Sequence, residues 1–235
     1  MSNLIVVESK NDKYFIESFI EKLNLSNIEV GQPICNINDF DCLGGISNLN
    51  AMLKALKPDS YSKIGIILDA DEVGIEERIK LINESLKSIC NDIELKEINH
   101  LNESKELDLE IACYITNIQG KGELETVMRE VHSNDSTYAD CLESWKECLS
   151  SKGIEIKQKE LNKIWVSNYL KYDTCIGKDK KQKSKKCANE LINNTNNKAE
   201  IENNLQSNDI TIKKDIWNFE HSSLSNLKDF LQLFN

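Results

Sequence analysis

Apolar positions along this chain follow two rhythms, and their alternation outlines the fold. Leu4-Ile5-Val6-Val7 and Ile64-Gly65-Ile66-Ile67-Leu68 are short unbroken apolar runs, the pattern of strands covered on both faces. Leu109-Glu110-Ile111-Ala112-Cys113-Tyr114-Ile115 is a third such run, and residues 28–43 hold a weaker strand pair or one interrupted strand, with Gln32-Pro33 as the break. Between the runs, apolar residues recur at helical spacing. Tyr14, Phe15, Phe19, Ile20 and Leu23 form one set, with Asn11 or Asp12 placed as cap; Leu49, Met52, Leu53 and Leu56 form another, opened by Ser47 or Asn48. Residues 74–89 are strongly amphipathic, and Ile93-Glu94-Leu95 predicts a short strand within a polar stretch. Strand followed by helix, four times over, predicts an α/β fold: a mostly parallel sheet flanked by helices.

The rhythm changes after the fourth helix. Residues 136–151, with Tyr138, Cys141, Leu142, Trp145 and Leu149, and residues 155–172, with Ile156, Leu161, Ile164, Trp165, Tyr169 and Leu170, both predict helices. Residues 188–209 are rich in Asn and of low complexity, consistent with an inserted helix-loop. Order returns at Ile216-Trp217-Asn218-Phe219, and Ser222 or Ser223 caps a last helix carrying Leu224, Leu227, Phe230, Leu231 and Phe234. The expected organisation is an α/β domain over residues 1–132 and a helical C-terminal extension, 133–235, packed on it.

Composition narrows the setting. The eight cysteines form no C-x-x-C pair and only three His accompany them, which favours free thiols in a reducing cytoplasm over disulfides or zinc. No apolar run is long enough for a membrane span, and Met1-Ser2-Asn3 lacks the basic start and apolar stretch of a signal peptide. A net charge of −10 argues against broad coating of nucleic acid. One local exception stands out. Lys178, Lys180, Lys181, Lys183, Lys185 and Lys186 put six lysines against one acid within nine residues, either a solvated loop or a phosphate-facing patch.

The candidate chemistry lies where strands meet helices. Asp69 and Asp71 follow the central apolar run two residues apart, where strand periodicity points both side chains the same way. Glu8 ends the first run, with Asp12 one helical turn beyond, turned toward Glu8 or serving the helix dipole. After the 109–115 run comes Asn117-Ile118-Gln119-Gly120-Lys121-Gly122-Glu123-Leu124-Glu125, a Gly-punctuated loop entering a helix with acids again at the junction. In a parallel sheet, ligands bind off the carboxyl ends of the strands, where all these acids fall. Clustered carboxylates repel unless a cation lies between them, and hard oxygen donors suit Mg²⁺ or Mn²⁺. Glu8, Asp69 and Asp71 would share one ion or two; Glu125, with Glu123 or Asp12, would complete a second position. Lys121 is either an ordinary exposed lysine or a stabiliser of charge building on a phosphate. Gly44-Gly45 marks a tight turn or a close approach to phosphate.

Leu4-Ile5-Val6-Val7-Glu8, a helix, Gly44-Gly45, another helix and Ile66-Ile67-Leu68-Asp69-Ala70-Asp71 together resemble the Toprim fold. That is the Mg²⁺-binding domain of topoisomerases, bacterial primases, the ribonuclease M5 type and the overcoming-lysogenisation-defect nucleases. The family pattern is a Glu after the first strand and Asp-x-Asp after the third. Here the usual Glu-Gly is Glu8-Ser9. Glu8-x-x-x-Asp12 resembles the paired acids of the nuclease branch, and Gly122-Glu123-Leu124-Glu125 its later Leu-Glu element, also seen in small stand-alone bacterial Toprim-like proteins. The resemblance implies a Mg²⁺-dependent nuclease acting on DNA or RNA, since the chain lacks room for a topoisomerase gate and ligands for a primase zinc module. It also implies a setting in defence against phage, commonly beside a partner ATPase. RNA processing of the ribonuclease M5 kind, a non-catalytic module docking on that ATPase, and a homo-oligomer remain open. A receiver domain ranks last, because it pairs its acids on the first strand rather than the third.

Overall fold

The computed structural model describes residues 2–34, 45–55, 60–177, 210–212 and 216–235. Its chain forms two compact units, Met1–Leu124 with Ser222–Asn235, and Glu125–His221.

In the first unit the expected α/β sheet is present. The elements are β1 (Ser2–Val6), α1 (Lys10–Lys22), β2 (Ile28–Val30), α2 (Gly45–Ala55), β3 (Tyr61–Asp69), α3 (Ile75–Leu86), β4 (Asn102–Ser104) and β5 (Leu109–Thr116). Strand order is β2-β1-β3-β5-β4; β1, β2, β3 and β5 run parallel, and β4 pairs antiparallel at the edge. From β1 the chain moves outward to β2, then returns past β1 to β3 and on to β5. Right-handed crossovers therefore put α1 on one face and α2 and α3 on the other. Alternate residues Leu4, Val6, Ile64, Ile66, Leu68, Ile111, Cys113 and Ile115 share one buried cluster with Leu49 and Leu53 of α2 and Ile79, Ile82 and Leu86 of α3.

The opposite face receives the end of the chain. A last helix, here α7 (Ser225–Gln232), buries Leu227, Phe230 and Leu231, and Phe230 lies against Tyr114 of β5 with ring centroids 5.7 Å apart. The carbonyl groups that a helix end leaves unpaired are satisfied by sheet residues: Lys63 Nζ donates to Leu233 O at 2.6 Å and Asn3 Nδ2 to Phe234 O at 2.6 Å. The chain crosses between units at 124/125 and again at 221/222, and the expected boundary at residue 132 lies eight residues into the second unit.

Two local expectations differ from the structure. Ile93-Glu94-Leu95 is not a strand. The Asn83 amide takes both polar groups of Leu95, accepting from its N–H at 2.8 Å and donating to its carbonyl at 2.8 Å, so no ladder is needed. The edge strand is instead the polar β4, which carries no apolar signal.

The second unit holds α4 (Leu124–Glu130, whose first residue closes the first unit), α5 (Thr137–Ser150), α6 (Gln158–Asn168) continued by a π-helical turn at Tyr169–Asp173, and the antiparallel pair β6 (Cys175–Gly177) and β7 (Ile210–Ile212). Asp173 accepts from the N–H groups of Tyr138 and Ala139 at 2.9 and 3.0 Å, closing the start of α5. Trp165 stacks on Tyr169 with centroids 5.2 Å apart, and His132 meets both rings edge-on. Tyr138 and Trp145, apolar positions of the sequence pattern, lie on the exposed side of α5.

Two predictions arise here. Burial pushes the Cys113 thiol up to about 12 and also raises Cys90, whereas Cys141 and Cys148 are exposed. A thiol-alkylating pulse read by mass spectrometry should label Cys141 and Cys148 in the folded chain, and Cys90 and Cys113 only after denaturation. The second concerns Asp140. Burial pushes its carboxyl up, but bonds from the Ser136 hydroxyl and the Trp165 indole N–H, with the charges of His132 and Arg129, outweigh this and hold it below the usual range. A lowered folded-state pKa gives stability that is present above the unfolded carboxyl value of about 3.9 and fades as pH falls through the folded value. Asp140→Asn should therefore be less stable than wild type at neutral pH, with the difference closing in acid. Urea unfolding followed by tryptophan fluorescence at both pH values checks it.

Candidate functional site

The strand order reverses direction at β1, whose two parallel neighbours are reached by crossovers on opposite faces. A crevice opens at the carboxyl ends of such a strand pair. Glu8 follows β1 and Asp69 closes β3, strands aligned with Val6 opposite Ile66. The Glu8 carboxylate reaches the backbone of Asp69, whose N–H donates to Glu8 Oε2 at 3.3 Å. Asp69 Oδ1 in turn accepts the N–H of Leu124 at 3.1 Å.

Past Asp69 the chain leaves the sheet, so strand alternation does not govern Asp71. Asp71 has φ 49°, the left-handed region that Asp tolerates better than most residues. It forms a two-bond bridge with Gly122: Asp71 N–H to Gly122 O at 2.8 Å and Gly122 N–H to Asp71 O at 3.0 Å. Segments 69–71 and 122–124 are thus tied at both ends, with buried Glu123 between the ties. Lys121 belongs to the tight turn before them, where Gln119 and Gly120 both have positive φ, as a type I′ turn requires. Its ammonium is exposed and stands 3.7 Å from the Glu72 carboxylate.

Asp71 has a cationic partner that the sequence reading missed. Arg78 of α3 donates Nη2 to Asp71 Oδ2 as a close ion pair. Composition held the signal: only two arginines, Arg78 and Arg129, occur among the 29 basic residues of the sequence. A planar guanidinium in a lysine-dominated chain marks a place where carboxylate geometry matters.

The other expected participants divide as follows. Asp12 is buried and serves the start of α1, its Oδ2 accepting the Ser9 N–H at 2.9 Å while Ser9 Oγ receives the Asp12 N–H at 3.3 Å. This capping box gives Ser9 its role where the resemblance expects Gly; its φ of −128° requires no glycine. Glu125 is buried in the first turn of α4 and is the first residue of the second unit. Lys178, Lys180, Lys181, Lys183, Lys185 and Lys186 lie outside the described residues, as does Gly44.

Among the described residues no group of three His, Cys, Asp or Glu side chains stands ready to hold a metal. The donor chemistry nevertheless fits a hard divalent cation: Glu8, Asp69 and Asp71 offer only carboxylate oxygen, and Asp71 lies beside the switch point with its Oδ2 turned to Arg78.

A protein-family profile matches residues 2–235; the family is DUF3226, described as a protein of unknown function. No curated protein and no solved structure matches the chain. With its sequence spanned from the second residue to the last, the chain belongs to the DUF3226 family.

Proposed function

We propose that this chain is a divalent-metal-dependent nuclease with a Toprim-like site, hydrolysing phosphodiester bonds of DNA or RNA. The observation that carries the reading is the meeting of Glu8 and Asp69 at the carboxyl ends of adjacent parallel strands, at the sheet's switch point. Glu8 and Asp69 would hold the first ion with Asp71. Glu123, buried in the segment tied to them, would serve a second. Bound there, Mg²⁺ or Mn²⁺ would supply an activated water and neutralise charge on the phosphate.

The chain's own groups do the rest. The Asp69 N–H fixes the Glu8 carboxylate, and the Leu124 N–H fixes that of Asp69, so both acids are oriented before any ligand arrives. Lys121, on its turn beside Gly122, is free to swing toward a phosphate oxygen because its pairing with Glu72 is solvent-exposed and weak. The lysines of 178–186 would add nonspecific attraction to the nucleic-acid backbone. An anti-phage setting with a partner ATPase follows from the resemblance alone.

A second reading, a binding module without catalysis, is favoured by the Arg78 ion pair, which engages Asp71 with a cation of the chain's own. Cleavage assays separate the two. Supercoiled plasmid, linear duplex, single-stranded DNA and structured RNA are incubated with Mg²⁺, Mn²⁺ or EDTA. Metal-dependent cutting supports the nuclease, and the preferred substrate decides between defence and RNA processing. Absence of cutting on every substrate, with metal binding intact, selects the module.

A further inference from the structure

We propose that Arg78 is the resident counter-cation of Asp71, the group that a divalent ion must displace to complete the acid site. The proposal rests on the metal reading of Glu8, Asp69 and Asp71. Its geometry is local. The Gly74 N–H bonds back to Ala70 O at 3.0 Å, and the Arg78 N–H bonds to Gly74 O at 3.3 Å, so the turn between β3 and α3 folds the guanidinium onto Asp71. The pair is largely removed from water, with side-chain exposures of 18% for Arg78 and 21% for Asp71, and its attraction is correspondingly stronger than at an open surface.

The pairing is also incomplete. A guanidinium binds a carboxylate best through a two-pronged fork. Arg78 donates through Nη2 to Asp71, and its buried Nε–H has no acceptor among the described residues. A buried donor without a partner leaves its desolvation uncompensated, so this contact is a holding position rather than a fully satisfied one. A dication seated against Asp71 would face the guanidinium's positive charge across the same carboxylate. Loading through Oδ2 and the Arg78 contact therefore exclude each other, and affinity by that route falls by the fraction of molecules in which Asp71 is released. The contact keeps Asp71 neutralised until an ion loads and makes loading depend on ion concentration.

The test measures Mn²⁺ binding to the full chain by titration calorimetry for wild type, Arg78→Gln, Arg78→Lys and Asp69→Asn. Arg78→Gln is expected to bind about tenfold tighter than wild type, Arg78→Lys close to wild type, and Asp69→Asn to lose binding. In parallel, the Arg78 Nε–Hε resonance of wild type should shift with the same midpoint as Mg²⁺ binding. Should Arg78→Gln fail to fold, that resonance decides. Wild-type binding that is lost in Asp69→Asn but no tighter in Arg78→Gln, or a resonance unmoved at saturation, overturns the counter-cation proposal and leaves the metal reading standing. No ion bound by either wild type or Arg78→Gln overturns both.

Discussion

Phe230→Ala is expected to cost about 3–5 kcal/mol, a large share of the roughly 5–15 kcal/mol that keeps an ordinary domain folded. Phe230 is fully buried, and its ring centroid lies 5.1 Å from Phe234 and 5.7 Å from Tyr114 of the central sheet. Truncation removes the contacts that hold α7 to the sheet and leaves a cavity whose walls are β-strands unable to collapse into it. The same interface explains Gly65 in the middle of an otherwise apolar strand. A Cβ there would lie 2.6 Å from Ile5 Cδ1, 2.8 Å from Phe234 Cζ and 2.9 Å from Phe230 Cζ. Gly65→Ala should thus destabilise by about 1–3 kcal/mol through overpacking, although alanine suits a strand no worse than glycine does. Urea denaturation with tryptophan fluorescence measures both, and a Phe230→Ala loss under about 1 kcal/mol would mean that α7 is not the lid of this core.

Glu8→Gln and Asp69→Asn carry the second large effect. Each should lower metal-dependent cleavage by about 100-fold or more, since a metal ligand matters at least as much as the outer-shell groups whose loss costs 10–100-fold. Folding should survive, for a stated reason. Gln keeps an oxygen to accept the Asp69 N–H, and Asn keeps one for the Leu124 N–H, so both bonds that orient the acids persist. Removing one of the negative charges at this strand end relieves like-charge repulsion, so stability without metal should hold or rise. The Ala variants lose the acceptor as well and make the contrasting pair. Full cleavage by Asp69→Asn would remove that residue from the site.

Much of this was legible in the sequence because both faces of the sheet are buried. Leu4–Val7 and Ile64–Leu68 read as covered strands for that reason, and the acids at their ends then fall where a parallel sheet binds ligands. Asp71 shows where periodicity stops helping: strand alternation applies up to Asp69, and a positive-φ bridge residue obeys the loop that holds it. Arg78 was invisible to pattern because it sits on an amphipathic helix among Glu76, Glu77 and Lys80, where a charge ordinarily means solvent. Nor does periodicity say which surface an amphipathic helix covers, so α7 could be recognised as a helix but not as the cover of a sheet that begins more than two hundred residues earlier, as the Asn3–Phe234 bond illustrates. Trp145 misled in the opposite sense: an apolar residue at helical spacing that the structure leaves exposed.

The most direct test of the central claim is ion binding at Glu8 and Asp69, measured by Mn²⁺ titration of wild type beside the Glu8→Gln/Asp69→Asn double variant. Saturable binding of one or two ions by wild type, lost in a double variant that folds normally, is the predicted result. Equal binding by both proteins, or none by wild type, would contradict it and leave the acids at the switch point without a metal to organise.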